Sequence, residues 1–249
     1  MQDLILDLLK SRDYLRVSEI TQQLGVSAAT VRRHLKRLQQ QELVQRTHGG
    51  VMRILPTQPE LPFTLRAAVN EVEKEAIGRV TAELIQEGES VFIGSGSTTL
   101  YVAQNLIGRK GITVMTNSLT VVNALAHEED IEVICPGGLL RHSEASFIGF
   151  LTEAALQVLR PKKVIIGIGA ISLTDGLTND YFPEVSTDRI IVHSAPEVIL
   201  VADHSKFGKI STTVVAPITA VHKIITDSGT PTEILDELKK LGIEVIVAS

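Results

Sequence analysis

The chain has 249 residues, 44% of them hydrophobic and 21% charged, enough for one large domain or two smaller ones with cores of their own. No apolar run approaches the ~20 residues of a membrane helix, the acidic start at Asp3 and Asp7 predicts no signal peptide, and the lone Cys135 excludes a disulfide framework, so a cytoplasmic protein is expected. The net charge of −5 divides unevenly: residues 1–53 hold nine Lys/Arg against five Asp/Glu and the rest fifteen against twenty-four, a basic head on an acidic body that nucleic acid would repel.

Leu4, Ile5, Leu8 and Leu9 recur at helical spacing and predict a first helix. Ile20 and Leu24 carry the stripe of a second, which Gly25 breaks. Ser27 is placed to cap a third, with Val31, Leu35 and Leu38 as its apolar positions. At ~100° per residue, Ala29, Arg33, Lys36, Arg37 and Gln40 fall opposite that stripe, with Thr30 and Arg32 on its flanks. A helix lying in the major groove needs such a division. Its apolar side docks on the first two helices, and its cationic side offers guanidinium groups to phosphates and to guanine O6 and N7. Ala29 and Thr30 are small enough to let the backbone approach base edges. Leu43 to Arg46 and Val51 to Ile54 flank Thr47-His48-Gly49-Gly50 and predict a hairpin turning at the glycines. From it Arg46 and His48 reach the neighbouring backbone or minor groove. A Lys/Arg-rich helix taken alone is as readily a solvated face. The succession of helix, glycine turn, Ser-capped basic helix and Gly-tipped hairpin makes the head a winged helix-turn-helix.

Pro56, Pro59 and Pro62 predict a linker over 55–64, between a head of 1–54 and a body of 65–249. A long amphipathic helix is expected from about Leu65 to Ile85, stopping near Gly88. Apolar runs then alternate with helical stretches: Ser90–Ile93, Ile112–Met115, Ile131–Ile134, Lys163–Ile168, Val198–Val201, Lys223–Thr226 and Glu244–Val247. Such runs predict an α/β fold, a parallel sheet covered on both faces.

The most informative stretch is Val91 to Leu100. An apolar strand leads into Gly94-Ser95-Gly96-Ser97-Thr98-Thr99, then into a helix marked by Leu100, Ala103 and Leu106. Such a loop aims N–H groups and hydroxyls at one point beside the positive end of a helix, which makes an anion site, foremost for phosphate. It lacks the Gly-Lys-Ser/Thr of a Walker A loop, and Thr99 stands where a dinucleotide fingerprint has its third glycine. The plain alternative is a tight turn with Ser97 as an N-cap. Other ligand residues are expected at strand ends. These are Asn117 in Thr116-Asn117-Ser118, Gly138, Arg141 and Lys206. Arg141 suits a phosphate or sugar oxygen, or is a surface arginine. Lys206 neutralises phosphate, or is a solvated lysine. The seven histidines are scattered, no pair has metal-ligand spacing, and no cofactor motif is read.

Val26-Ser27-Ala28-Ala29-Thr30-Val31-Arg32-Arg33-His34-Leu35, followed by Arg46-Thr47-His48-Gly49-Gly50-Val51, resembles the DeoR family of bacterial transcription regulators. The pattern there is V-S-x-x-T-x-R-R-D-L, then R-x-H-G-G. His34 stands where the family usually has Asp, at the edge of the core face, and is expected to change a local helix contact and not base reading. The resemblance continues through the body. Gly94-Ser95-Gly96-Ser97-Thr98 occupies the place of D-x-G-T/S-T, with Gly94 for Asp, and reads much like the phosphate loop of ribose-5-phosphate isomerase, whose fold the family shares. Thr116-Asn117 is similar to the family's T-N segment. Asp175-Gly176-Leu177-Thr178 with Glu184 is similar to another, and Asp203-His204-Ser205-Lys206-Phe207-Gly208 to D-x-S-K-F-G. The resemblance implies a Rossmann-like effector domain that binds a phosphorylated sugar through these positions, Asp175 and Glu184 among them. It also implies a homodimer or homotetramer on a double-stranded operator, and repression of a carbohydrate-utilisation operon relieved by the ligand.

The rival reading is a phosphosugar isomerase, which needs a general base beside the anchored substrate. The isomerases carry Asp-Gly-Ala-Asp after the corresponding strand, whereas this chain has Gly167-Ile168-Gly169-Ala170. Glu184 is then an acid without its partners, and no catalytic residue is assigned. A body that only oligomerises is a second rival.

Overall fold

The computed structural model describes residues 1, 4–6, 8, 14–40, 44–47, 50–53 and 63–249. They fall into two compact units, Met1–Glu60 and Leu61–Ser249. Leu9, Leu43, His48, Gly49, Ile54 and the three linker prolines lie outside the described residues.

In the first unit residues 4–6 are helical. They are followed by β1 (Tyr14–Arg16), α1 (Val17–Leu24), α2 (Ala28–Gln40), β2 (Val44–Thr47) and β3 (Gly50–Arg53). Gly25 ends α1 in the left-handed region at φ 63°, a conformation that costs glycine little. Ile5, Leu15, Ile20, Val31, Leu35, Leu38, Val44 and Val51 form one buried cluster. At ~1.5–3 kcal/mol for each fully buried large aliphatic side chain, it is the main term holding so small a unit together. The expected hairpin is present, with Arg46 opposite Val51, and a third strand joins it: the antiparallel order is β1-β3-β2. Three residues give too few alternations for β1 to be read from periodicity.

The second unit opens with α3 (Phe63–Ala68) and α4 (Glu71–Glu83), not with one continuous helix from Leu65 to Ile85. The break falls at Asn70, which adopts φ 52°. Asn tolerates that conformation, and here its side chain donates to Asp203 Oδ1 at 2.8 Å, an anchor 133 residues away that helical periodicity cannot register.

Seven strands form a wholly parallel sheet: β4 (Ser90–Ile93), β5 (Ile112–Met115), β6 (Ile131–Ile134), β9 (Lys163–Ile166), β12 (Glu197–Val201), β14 (Lys223–Asp227) and β15 (Glu244–Ala248). Their order is β15-β14-β12-β9-β4-β5-β6. Successive side chains point to opposite faces. Val91, Ile93, Ile165 and Ile199 pack on one side with Ile77 of α4, Val102 of α5 (Ser97–Gln104) and Val121 of α6 (Leu119–Leu125). Phe92, Val164, Ile166 and Leu200 pack on the other with Leu156 of α7 (Phe150–Leu156), Val185 of α8 (Phe182–Val192) and Leu238 of α9 (Thr232–Lys240). On the first face α4 crosses α5 at Gly78, where a Cβ would lie 2.6 Å from the backbone of Tyr101.

Two smaller antiparallel sheets were not expected. One is the hairpin of β7 (Leu139–Arg141) and β8 (Ser146–Ile148). The other has the order β10-β11-β13 and comprises Ala170–Ser172, Gly176–Asn179 and Thr213–Ala216. The run expected over Lys163–Ile168 stops at Ile166, because the chain turns through Gly167 and Gly169 toward β10.

Candidate functional site

On α2 the wheel reading matches the observed exposure. Val31, Leu35 and Leu38 are buried, while Ala29, Arg32, Arg33, Lys36 and Arg37 are exposed. Ser27 is exposed and caps the helix: Thr30 N donates to its Oγ at 3.2 Å, and the two hydroxyls lie 3.0 Å apart. Thr30 is half-buried. Arg46 lies on β2, and His48 is outside the described residues. His34 is half-buried with no hydrogen-bond partner for Nδ1 among the described residues. Desolvation, then the charges of Arg33 and Arg37, hold its imidazole below the ordinary value, so it adds no charge to the cationic face at neutral pH.

In the second unit the connections β4 to β5 to β6 run one way across the sheet, and β9, β12, β14 and β15 run the other. β4 and β9 are therefore neighbours at a topological switch point, where the strand ends leave a crevice. The Gly94–Thr99 loop lies there. Gly94 N donates to Ile165 O of β9 at 2.8 Å, and a Cβ on Gly167 would lie 3.8 Å from Ser95 O. Gly96 caps α5 at φ 143°, a backbone open in practice to glycine alone. The first N–H to bond back is that of Leu100, to Gly96 O at 3.1 Å. Those of Ser97, Thr98 and Thr99 precede it and have no acceptor among the described residues. The Thr99 hydroxyl donates to Gly96 O at 2.9 Å, and the residue is wholly buried, so its side chain is committed to the loop itself.

The remaining candidates divide. Asn117 is buried; its Nδ2 donates to Phe147 O at 3.1 Å, and its Oδ1 has no partner among the described residues. Arg141 is not a surface arginine. It is buried on β7, ion-paired with Glu184 of α8, and stacked 4.1 Å from the centre of the Tyr181 ring. Ser146 donates to the other oxygen of Glu184 at 3.0 Å. Gly138 is a packing position, since a Cβ there would lie 2.0 Å from Thr152 Oγ1. Asp175 is exposed on the β10–β11 turn, where the hydroxyls of Ser172 and Thr174 hold its carboxyl low at 3.0 and 2.7 Å. Among the described residues no other candidate hydrogen-bonds to Asp175.

Lys206 is half-buried beyond β12. Burial pushes its ammonium down, Asp203 opposes that, and Arg66 adds to it. Around it stand residues that sequence reasoning missed: Arg66, ion-paired with Glu144, and Lys74, buried on α4 with Nζ donating to the carbonyls of Arg66 and Val69. Asp188 was missed too. Burial, then the charges of Glu184 and Glu144, push its carboxyl well up from the ordinary carboxylate range. Asn179 donates to it at 2.6 Å and accepts from Gly169 N at 2.8 Å, which anchors the Gly167–Gly169 turn over the loop. A lysine or arginine on a helix reads the same in sequence whether it is solvated or paired. No signal marked these residues.

Chemically, the crevice offers N–H groups without acceptors among the described residues at a helix start, and no carboxylate on the Gly167–Ala170 turn. Glu184 is committed to Arg141 and Ser146, and Asp188 accepts from Asn179. Among the described residues no group of three or more His, Cys, Asp or Glu could hold a metal ion, and no helix is long and apolar enough to cross a membrane.

An exposed cationic recognition helix with a wing, in a chain whose second unit is an α/β sheet with an anion loop at its switch point, defines a DNA-binding regulator with a sensor domain. Residues 2–57 match the DeoR-like helix-turn-helix domain and residues 69–228 the DeoR C-terminal sensor domain. The chain belongs to the DeoR family of transcription regulators. It is 35% identical to the transcriptional repressor AccR of Agrobacterium fabrum, over 98% of this chain and 95% of that one. It is 34% identical to the glycerol-3-phosphate regulon repressor of Escherichia coli, over 97% and 95%. It is 31% identical to the putative aga operon transcriptional repressor of Escherichia coli O157:H7, over 98% and 91%. Among solved structures, ribose 5-phosphate isomerase A of Methanocaldococcus jannaschii aligns with 55% of each chain at 16% identity and a TM-score of 0.42.

Proposed function

We propose that this protein is a repressor whose DNA affinity is set by a phosphorylated sugar bound at the β4–β9 switch point. The observation that carries this reading is the loop after β4, where three N–H groups at the start of α5 have no acceptor among the described residues. Phosphate suits that field, and Lys206, Arg66 and Lys74 supply cations among the loops and helices of the same unit. The names of the relatives from Escherichia coli, a glycerol-3-phosphate regulon repressor and a putative aga operon repressor, support a carbohydrate-linked ligand.

The chain acts as a homodimer or homotetramer, presenting heads to half-sites one helical turn apart, ~34–36 Å, or a multiple of that. Ligand binding releases DNA, and a coupling of ~1–3 kcal/mol changes affinity ~5–150-fold. In this reading the domain binds and does not catalyse: the Gly167–Ala170 turn carries no carboxylate, and Glu184 is ion-paired with Arg141. A gel shift on DNA upstream of the chain's own gene, repeated with a phosphosugar panel, tests the reading. Retardation that one phosphosugar relieves supports it, and retardation indifferent to every phosphosugar defeats the sensor half. Turnover of ribose 5-phosphate above background would overturn the non-catalytic half.

A further inference from the structure

α3 opens the second unit and is the first described element after the chain leaves the head. It is tied down along its length. Phe63 N and the Arg66 guanidinium both donate to Ser143 O, at 3.2 and 3.5 Å, and Arg66 pairs with Glu144. Lys74 holds the carbonyls of Arg66 and Val69, and Asn70 donates to Asp203 at 2.8 Å. These ties converge on the surroundings of Lys206, whose charged neighbours are Asp203, Arg66, Lys209 and Glu144.

An anion brought to Lys206 meets Glu144 as a like charge and Arg66 as an opposite one. A phosphate offers a guanidinium the same two-oxygen edge as a carboxylate, with more charge. We propose that the ligand's phosphate takes Glu144's place on Arg66, so that occupancy releases α3 from the Ser143–Glu144 turn and moves the start of the second unit. The inference rests on the phosphosugar reading above. It makes Arg66 a ligand-binding residue and Glu144 the internal anion that occupies it beforehand. The ligand then acts through a difference in contacts between two states, as any conformational shift requires. Because the head is joined to the second unit through α3, a release there reaches the DNA-binding residues through the chain itself.

The test is hydrogen–deuterium exchange on the full chain, read over residues 61–70. The probes are ribose 5-phosphate, glycerol 3-phosphate, glucose 6-phosphate and inorganic phosphate, with binding followed by thermal shift. In the wild type a bound probe raises exchange of the α3 amides about tenfold, within the range of ordinary allosteric couplings. Glu144→Gln raises it without any probe. The paired exchange Arg66→Glu with Glu144→Arg restores the ion pair but places a carboxylate where the anion should bind, so α3 stays protected with and without probe. If Glu144→Gln leaves α3 as protected as in the wild type, or the exchanged pair still responds to a probe, the ion pair is a fixed strut. A bound probe that leaves wild-type exchange unchanged also makes it a fixed strut. In each case the latch falls and the sensor reading stands. A wild type that binds none of the four probes removes the sensor reading, and the latch with it.

Discussion

Arg141 on β7 and Glu184 on α8, 43 residues apart, form a buried ion pair with the guanidinium lying 4.1 Å over the Tyr181 ring. The pair joins the β7–β8 hairpin to the helix that covers one face of the sheet. Both charges are almost wholly withdrawn from water, so their mutual pairing offsets much of the cost of burial. Arg141→Met alone should destabilise the fold by about 3–5 kcal/mol, because it removes the cation that balances Glu184 in a buried site. Adding Glu184→Leu should recover most of that loss. Urea unfolding of the two single variants and the double variant measures the coupling; additive losses would mean that the two charges do not depend on each other.

Gly96→Asp should abolish any response to a phosphosugar while leaving operator binding intact. At φ 143° a side chain is strained by about 1–3 kcal/mol, a Cβ meets Thr99 Oγ1 at 3.2 Å, and a carboxylate there repels phosphate. Thermal shift and gel shift on the same variant separate the outcomes, since loss of both responses would make the loop structural.

Arg33→Ala should weaken operator binding and lower the slope of log affinity against log salt by about one, the signature of a lost phosphate contact. Arg33 is exposed on the face of α2 opposite Val31 and Leu35. A salt titration with an unchanged slope would remove it from the phosphate contacts.

Asp188 gives a pH-dependent prediction. Its folded carboxyl titrates well above its unfolded value because it is buried beside Glu184 and Glu144. Between those two values the folded state binds the extra proton, so its contribution to stability falls as pH rises from about 4 upward. Asp188→Asn keeps an acceptor for Asn179 and removes the titration. The variant should gain on the wild type between pH 5 and pH 8 in urea midpoints. A gap that is constant with pH would show that the carboxyl does not titrate in this way.

Much of this protein is written locally. The faces of α2, the turn at Gly25, the cap at Ser27 and the seven apolar runs follow from residue spacing and from which side chains suit a cap or a left-handed turn. Those preferences act over one or two turns of chain, and for that reason they can be read without a fold. The Gly94–Thr99 loop was legible in the same way, as an apolar strand, a glycine turn and a helix start. What surrounds the loop was not. The strand order that sets β4 beside β9, and so turns the loop into a crevice, is a choice among sheets that the same runs would all satisfy. The break at Asn70, the burial of Arg141, and the gathering of Arg66, Glu144 and Lys206 are long-range pairings of charges and amides. A charged residue leaves the same mark in the sequence whether water or a distant carboxylate solvates it, so only the tertiary structure decided which of them are buried and paired.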